Sequence, residues 1–131
     1  MPVREIEIDP HNQKRKLFFW VKNPGRIDDL EKWVADQPHN ERDNLIRLLR
    51  RCLSHTEPLL HHSDESFKKE FDNKNESVWA IKSYQIRLLG VFKKLDFYVI
   101  HYLRKKSRRL SKEDIKAAKA KHDKYFDNNG K

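Results

Sequence analysis

Between residues 39 and 57, apolar side chains recur at three- and four-residue spacing: Leu45, Leu48, Leu49, Cys52 and Leu53. That period gathers them on one face of an α-helix, with Arg42, Arg47, Arg50 and Arg51 mostly on the other. This is the clearest amphipathic helix in the chain. Glu57-Pro58 ends it, because the residue before a proline disfavours helical backbone. Upstream, Asp28 or Asp29 can cap a shorter helix whose apolar face is Leu30, Trp33 and Val34. Pro38 separates the two; proline costs ~3 kcal/mol inside a helix but fits the first turn of the next. The pair predicts an antiparallel helical hairpin over residues 26–58.

Near Asn75 the period changes from helical to alternating, which predicts strands. Residues 77–83 hold Val78, Trp79 and Ile81, and residues 84–92 hold Ile86, Leu88, Leu89, Val91 and Phe92. Residues 97–103 are almost entirely β-branched or aromatic, and Lys93-Lys94-Leu95-Asp96 can turn a hairpin before them. Sequential strands on short turns make an antiparallel meander over residues 76–104. The stretch from Pro58 to about Asn75 reads as a loop. In the N-terminal region, residues 1–25, Ile6 and Ile8 alternate with acidic residues, and Leu17-Phe18-Phe19-Trp20-Val21 is a short apolar run. Either can be the first strand. At the other end Ser111-x-x-Asp114 is a capping-box variant opening a basic helix over 111–126, with Ile115, Ala118, His122, Tyr125 and Phe126 near one stripe. The expected fold is α+β, a single domain over 1–131. A small antiparallel sheet packs on an N-terminal helical hairpin, which lids one sheet face, and a basic helix ends the chain. Leu45, Leu48, Leu49, Trp79, Ile86, Leu88 and Val99 are the expected core.

Charge adds a direction. The 131 residues carry 29 Lys/Arg and 20 Asp/Glu, a net charge of +9. Residues 1–65 hold 11 basic and 12 acidic side chains, whereas residues 66–131 hold 18 and 8. The whole excess lies in the second half, the electrostatic footprint of a protein that meets a polyanion, most simply nucleic acid. No run approaches the ~18 apolar residues of a membrane-spanning helix, and the N-terminus lacks an apolar signal core, so a cytoplasmic address without membrane contact is expected. The lone Cys52 rules out an internal disulfide and falls on an apolar helix face, as a small core residue. With three glycines there is no phosphate-cradling loop. Cys52, His55, His61 and His62 match no metal-finger spacing, so neither metal nor cofactor is expected.

What remains is a basic constellation around the last strands. Lys68 and Lys69 lead into the β region, Lys82 ends its first strand and Arg87 lies inside the second. His101-Tyr102 sits on the third, followed by Arg104-Lys105-Lys106-Ser107-Arg108-Arg109. An arginine within an apolar strand is costly unless it is paired or faces a ligand. A carboxylate such as Glu70 or Asp96 is the structural alternative. Arg87, His101, Tyr102 and Lys105 converging on a phosphate would suit phosphodiester cleavage. Cations stabilise charge on phosphorus, a base takes the 2′-OH proton, and a donor protonates the leaving 5′-oxygen, with no metal required. Lys68, Lys69, Arg104, Lys106, Arg108 and Arg109 would bind the RNA backbone.

The ordered segments Lys68-Lys69-Glu70-Phe71, Val78-Trp79-Ala80-Ile81-Lys82, Tyr84-Gln85-Ile86-Arg87-Leu88-Leu89, residues 97–107 and residues 111–125 resemble the RelE/HigB toxin superfamily, and within it the phage-derived Gp49-like group. The resemblance spans about residues 26–126. It implies a microbial-RNase-like fold and a toxin of a type II toxin–antitoxin pair, a ribosome-dependent mRNA endonuclease. A co-encoded antitoxin, of the small helix-turn-helix kind, would restrain it. By position Lys82 and Arg87 match the family's two strand arginines, His101 its histidine, and Lys105 and Lys106 its paired lysines. Ala80 stands in place of the usual glutamate and Gly90 in place of an aromatic. Two other readings are a ParE-like toxin that poisons gyrase without nuclease chemistry, and an inactive basic protein that binds a host partner.

Overall fold

The computed structural model describes residues 3–8, 11, 13–20, 29–54, 66–105 and 109–127. The order of elements is β1 (Val3–Ile6), β2 (Leu17–Trp20), α1 (Asp29–Ala35), α2 (His39–Leu53), β3 (Phe67–Asn73), β4 (Glu76–Ser83), β5 (Ile86–Lys93), β6 (Asp96–Arg104) and α3 (Lys112–Asp127). The six strands form one sheet in the order β1-β2-β6-β5-β4-β3. β3 to β6 are an antiparallel meander, and β2 joins its β6 edge in parallel, Leu17 opposite Phe97 and Phe19 opposite Val99. The fold is α+β, and the sheet is mixed and larger than periodicity indicated.

Three differences from the sequence reading have physical causes. Both N-terminal segments are strands, paired with each other as a β1–β2 hairpin. Residues 67–73, read as loop, form β3. Four of its seven residues are charged, and as the edge strand among the described residues it tolerates lysines that break the alternating pattern. Tyr84 is in a turn, not in a strand; its φ of 54° is left-handed backbone. Lys74 and Asn75 (φ 51° and 67°) and Lys94 (φ 58°) make the other two tight turns.

Side-chain alternation gives the sheet two apolar faces, and helices cover both, not the one expected. On one face Leu17, Phe19, Phe67, Ile81, Ile86, Leu88, Phe97 and Val99 pack against Leu45, Leu48, Leu49, Cys52 and Leu53 of α2. On the other, Val78, Ala80, Leu89, Val91 and Ile100 meet Ala118, Tyr125 and Phe126 of α3. Of the expected core residues all are buried except Trp79, which is half-buried. Burial pushes the Cys52 thiol up to about 12, against a small opposing effect of Arg15, so it is a core residue and not a nucleophile.

The helices are fastened by polar contacts. Pro38 sits at the N-terminal end of α2, and Ser83 Oγ of β4 donates to the Glu41 carbonyl at 2.7 Å and accepts from Asn44 Nδ2 at 2.9 Å. At the start of α3 the Asp114 amide donates to Ser111 Oγ at 3.1 Å, and that hydroxyl donates to the Asp114 carboxylate at 2.8 Å, the cap that the sequence suggests.

Candidate active site

A β-bulge decides which face His101 serves. Leu89 is opposite His101 and Gly90 opposite Val99, so Ile100 is an extra residue in β6. The bulge turns both Ile100 and His101 toward α3, whereas Val99 and Tyr102 serve the α2 face. Lys121 Nζ lies 2.9 Å from His101 Nδ1. An ammonium has no acceptor, so Lys121 donates and the proton of the neutral ring sits on Nε2, which faces Asp114 Oδ1 at 3.5 Å. Asp114 and Lys121 are two helical turns apart on α3 and so grip the ring from both sides. Burial lowers the His101 pKa below its ordinary value; Lys121 lowers it further, and Asp114 only partly opposes them. His101 is therefore held neutral.

One strand over, β5 places Arg87 on the same face, opposite Leu103 of β6 and Lys82 of β4. Arg87 is 7% exposed. Its Nη1 donates to the carbonyls of Tyr84 at 2.5 Å and Ile86 at 3.0 Å. Burial lowers its pKa and the Glu70 carboxylate offsets part of that. Glu70 is the bulge residue of β3, between Lys69 and Phe71, and its Oε2 is buried, 3.9 Å from Lys82 Nζ and without a hydrogen bond. One buried carboxylate thus acts on two cations, Lys82 beside it and Arg87 through its field. Of the two carboxylates suggested as partners of Arg87, Glu70 is the one in place; Asp96 accepts the Lys16 amide at 2.9 Å.

Not every candidate from the sequence joins this face. Lys68 does, opposite Ala80, and is exposed, whereas Lys69 pairs with Asp72 at 3.1 Å. Tyr102 packs on Trp33 across the sheet, with ring centroids 4.9 Å apart, yet its ring centroid is also 5.8 Å from Lys121 Nζ. Arg104 pairs with Glu41 at 3.0 Å and bonds to Gln37 and Gln85 on the α2 side. Lys105 follows β6, its amide donating to the Gln85 carbonyl at 2.7 Å, and Arg109 is exposed. Lys106 and Arg108 lie outside the described residues, as do His55, His61 and His62.

Three residues of the arrangement were not singled out by sequence reasoning as functional: Glu70, Asp114 and Lys121. The Asp114-to-Lys121 spacing of seven was the available signal for two of them, since it puts both on one helix face. Glu70 was named only as a possible ion partner of Arg87, because its inward turn comes from a bulge. A second polar knot holds the far end of α3. His122 Nε2 lies 2.6 Å from Glu76 Oε1, and Asn73 Nδ2 donates to its Nδ1 at 2.7 Å. An open groove of about 560 Å³ lies at the opposite end of β5, by the Lys94–Asp96 turn, lined by side chains of both signs, and takes no part in this cluster. No group of metal-ligating side chains is present among the described residues, and no helix there is long and apolar enough to cross a membrane.

The order of strands, the bulged histidine strand and the basic terminal helix define a small α+β protein with a cationic cluster on one sheet face. The model of the phage-derived Gp49-like protein family (DUF891) matches residues 32–123. The chain belongs to that family, and membership is compatible with a toxin of a toxin–antitoxin pair. No curated protein and no solved structure matches the chain.

Proposed function

We propose that this protein is the toxin of a type II toxin–antitoxin pair and acts as a ribosome-dependent mRNA endonuclease of the RelE/HigB kind. The observation that carries the reading is the buried Arg87–Glu70–Lys82 cluster, on the sheet face that also holds the neutral His101 gripped by Lys121 and Asp114. With Nη1 committed to two carbonyls, the remaining N–H groups of Arg87 are those that would take a phosphate oxygen, and Lys82 would add charge. Glu70, whose buried Oε2 makes no hydrogen bond, would act as the base that takes the 2′-OH proton once RNA binds. The 2′-oxygen attacks phosphorus and forms a 2′,3′-cyclic phosphate as the bond to the 5′-oxygen breaks. The proton for that leaving oxygen comes from the Lys121 ammonium, which His101 holds in place. Tyr102, beside Lys121, flanks this donor, and Lys68, Lys105 and Arg109, with Lys106 and Arg108, would follow the RNA backbone. Its restraining partner would be a co-encoded antitoxin, and its workplace the cytoplasm.

The test is induction in a host cell, with mRNA 5′-ends mapped and genomic DNA assayed in parallel. Growth arrest with new mRNA ends clustered in translated frames is expected, and Glu70→Gln should abolish those ends while circular dichroism stays native. Arrest with intact mRNA and a DNA-damage response would replace this reading with gyrase poisoning. No arrest in the absence of antitoxin would leave a basic binding protein.

A further inference from the structure

At the Arg87 end of the sheet the β4–β5 turn carries an aromatic ring that the fold does not use. Tyr84 is 62% exposed and belongs to neither core cluster. Its φ of 54° is left-handed, a region that bulky residues seldom enter and that glycine or asparagine would occupy without strain. The turn is nevertheless rigidly tied down. Arg87 Nη1 holds the Tyr84 carbonyl at 2.5 Å, the Gln85 carbonyl accepts the Lys105 amide at 2.7 Å, and Gln85 Oε1 accepts from Arg104 Nη2 at 3.0 Å. A strained, exposed, immobilised tyrosine is an outlier that points to use outside the fold.

Its surroundings select the ligand. Lys82, Arg87, Arg104 and Lys105 flank the turn, against the carboxylates of Glu41 and Glu70. The other exposed large apolar side chains are elsewhere, Val3 on β1 and Leu95 in the opposite turn, so among the described residues Tyr84 is an isolated ring and not part of an apolar patch for a protein partner. An isolated ring framed by cations suits a single nucleic-acid strand, whose bases stack on aromatics while its phosphates meet basic side chains. We propose that Tyr84 is a stacking platform for an unpaired nucleobase adjacent to the phosphate held at Arg87. This deepens the reading of the Arg87 face as an RNA site and rests on it. The same guanidinium that meets the phosphate holds the Tyr84 carbonyl, so it also fixes the ring's position.

The experiment is fluorescence anisotropy with two labelled strands of equal length, a 2′-O-methyl oligouridylate that cannot be cleaved and an abasic phosphodiester strand. Tyr84→Gly, which relaxes the turn, should weaken binding of the base-bearing strand about 5- to 150-fold, the range of one lost stack, and leave the abasic strand unchanged. Tyr84→Phe should bind both like the native protein. Equal loss on both strands, no loss on either, or no binding of either strand by the native protein would overturn the proposal. Base-dependent loss with no mRNA cleavage in cells would retain the platform and remove the nuclease reading.

Discussion

At the scale of single residues, the central fact is that Arg87, Lys82 and Glu70 bury their charges on one sheet face. Arg87 is 7% exposed and the Glu70 side chain 8%, so removing Arg87 takes a cation from a buried carboxylate and leaves the Tyr84 and Ile86 carbonyls without their donor. Arg87→Ala should therefore cost about 3–5 kcal/mol in urea melts. Arg87→Lys keeps the charge but loses the planar fork, and should melt closer to the native protein while mRNA cleavage falls about 10²–10³-fold. Native cleavage by a stable Arg87→Lys variant would remove Arg87 from the chemistry. His101 gives a second residue-scale prediction. Its pKa is lowered in the fold, so at pH below the ordinary value near 6.5 the unfolded chain binds more protons than the folded one. The resulting stability is present above that pH and is lost as pH falls through the lower folded value. Chemical melts between pH 7.5 and 5 should show a decline that His101→Gln flattens; an equal decline in the variant would place the titration elsewhere.

At the scale of elements, legibility followed the regularity of the pattern. α2, α3 and the β4–β6 meander announced themselves because periods of 3.6 and 2 survive in the sequence. β3 did not, since an edge strand of four charged residues in seven carries no alternation, and the bulges at Glu70 and Ile100 were invisible because a bulge breaks the very period used to read faces. Those bulges put Glu70 and His101 where they are, so the site was legible as a set of basic residues and not as an arrangement. Gly90 belongs to the same irregularity. A Cβ there would lie 2.5 Å from Phe97 Cζ and 2.5 Å from the Tyr98 carbonyl oxygen. The backbone oxygen cannot step aside without moving the strand that carries the bulge. Gly90→Ala should thus cost roughly 1–3 kcal/mol by overcrowding, and it should also broaden the His101 ring signals in NMR spectra. A neutral substitution in thermal melts would mean that β6 shifts freely against β5.

At the scale of the whole molecule, the charge skew has a spatial meaning. The second half of the chain supplies four sheet strands and α3, so the basic excess of residues 66–131 falls, among the described residues, on the elements that carry the Arg87–His101 face. The first half supplies α1 and α2, on the opposite face of the sheet, and the β1–β2 hairpin at the sheet's edge, and these elements are close to neutral. Segregation of this kind was legible from residue order alone, because the helices of one face precede the meander and the basic helix of the other. It leads to a directional prediction about salt. Binding to single-stranded RNA should weaken with a slope of log K against log salt of about −0.7 for every phosphate neutralised. Lys68, exposed on the cationic face opposite Ala80, should account for one such phosphate, so Lys68→Met should make the slope shallower by about 0.7. Lys14 is also exposed but lines the mixed-charge groove by the Lys94–Asp96 turn, and Lys14→Met should leave the slope unchanged. Matching changes in both variants, measured on one RNA across a salt series, would show that the net charge acts as a diffuse field and that the face has no privileged role in binding.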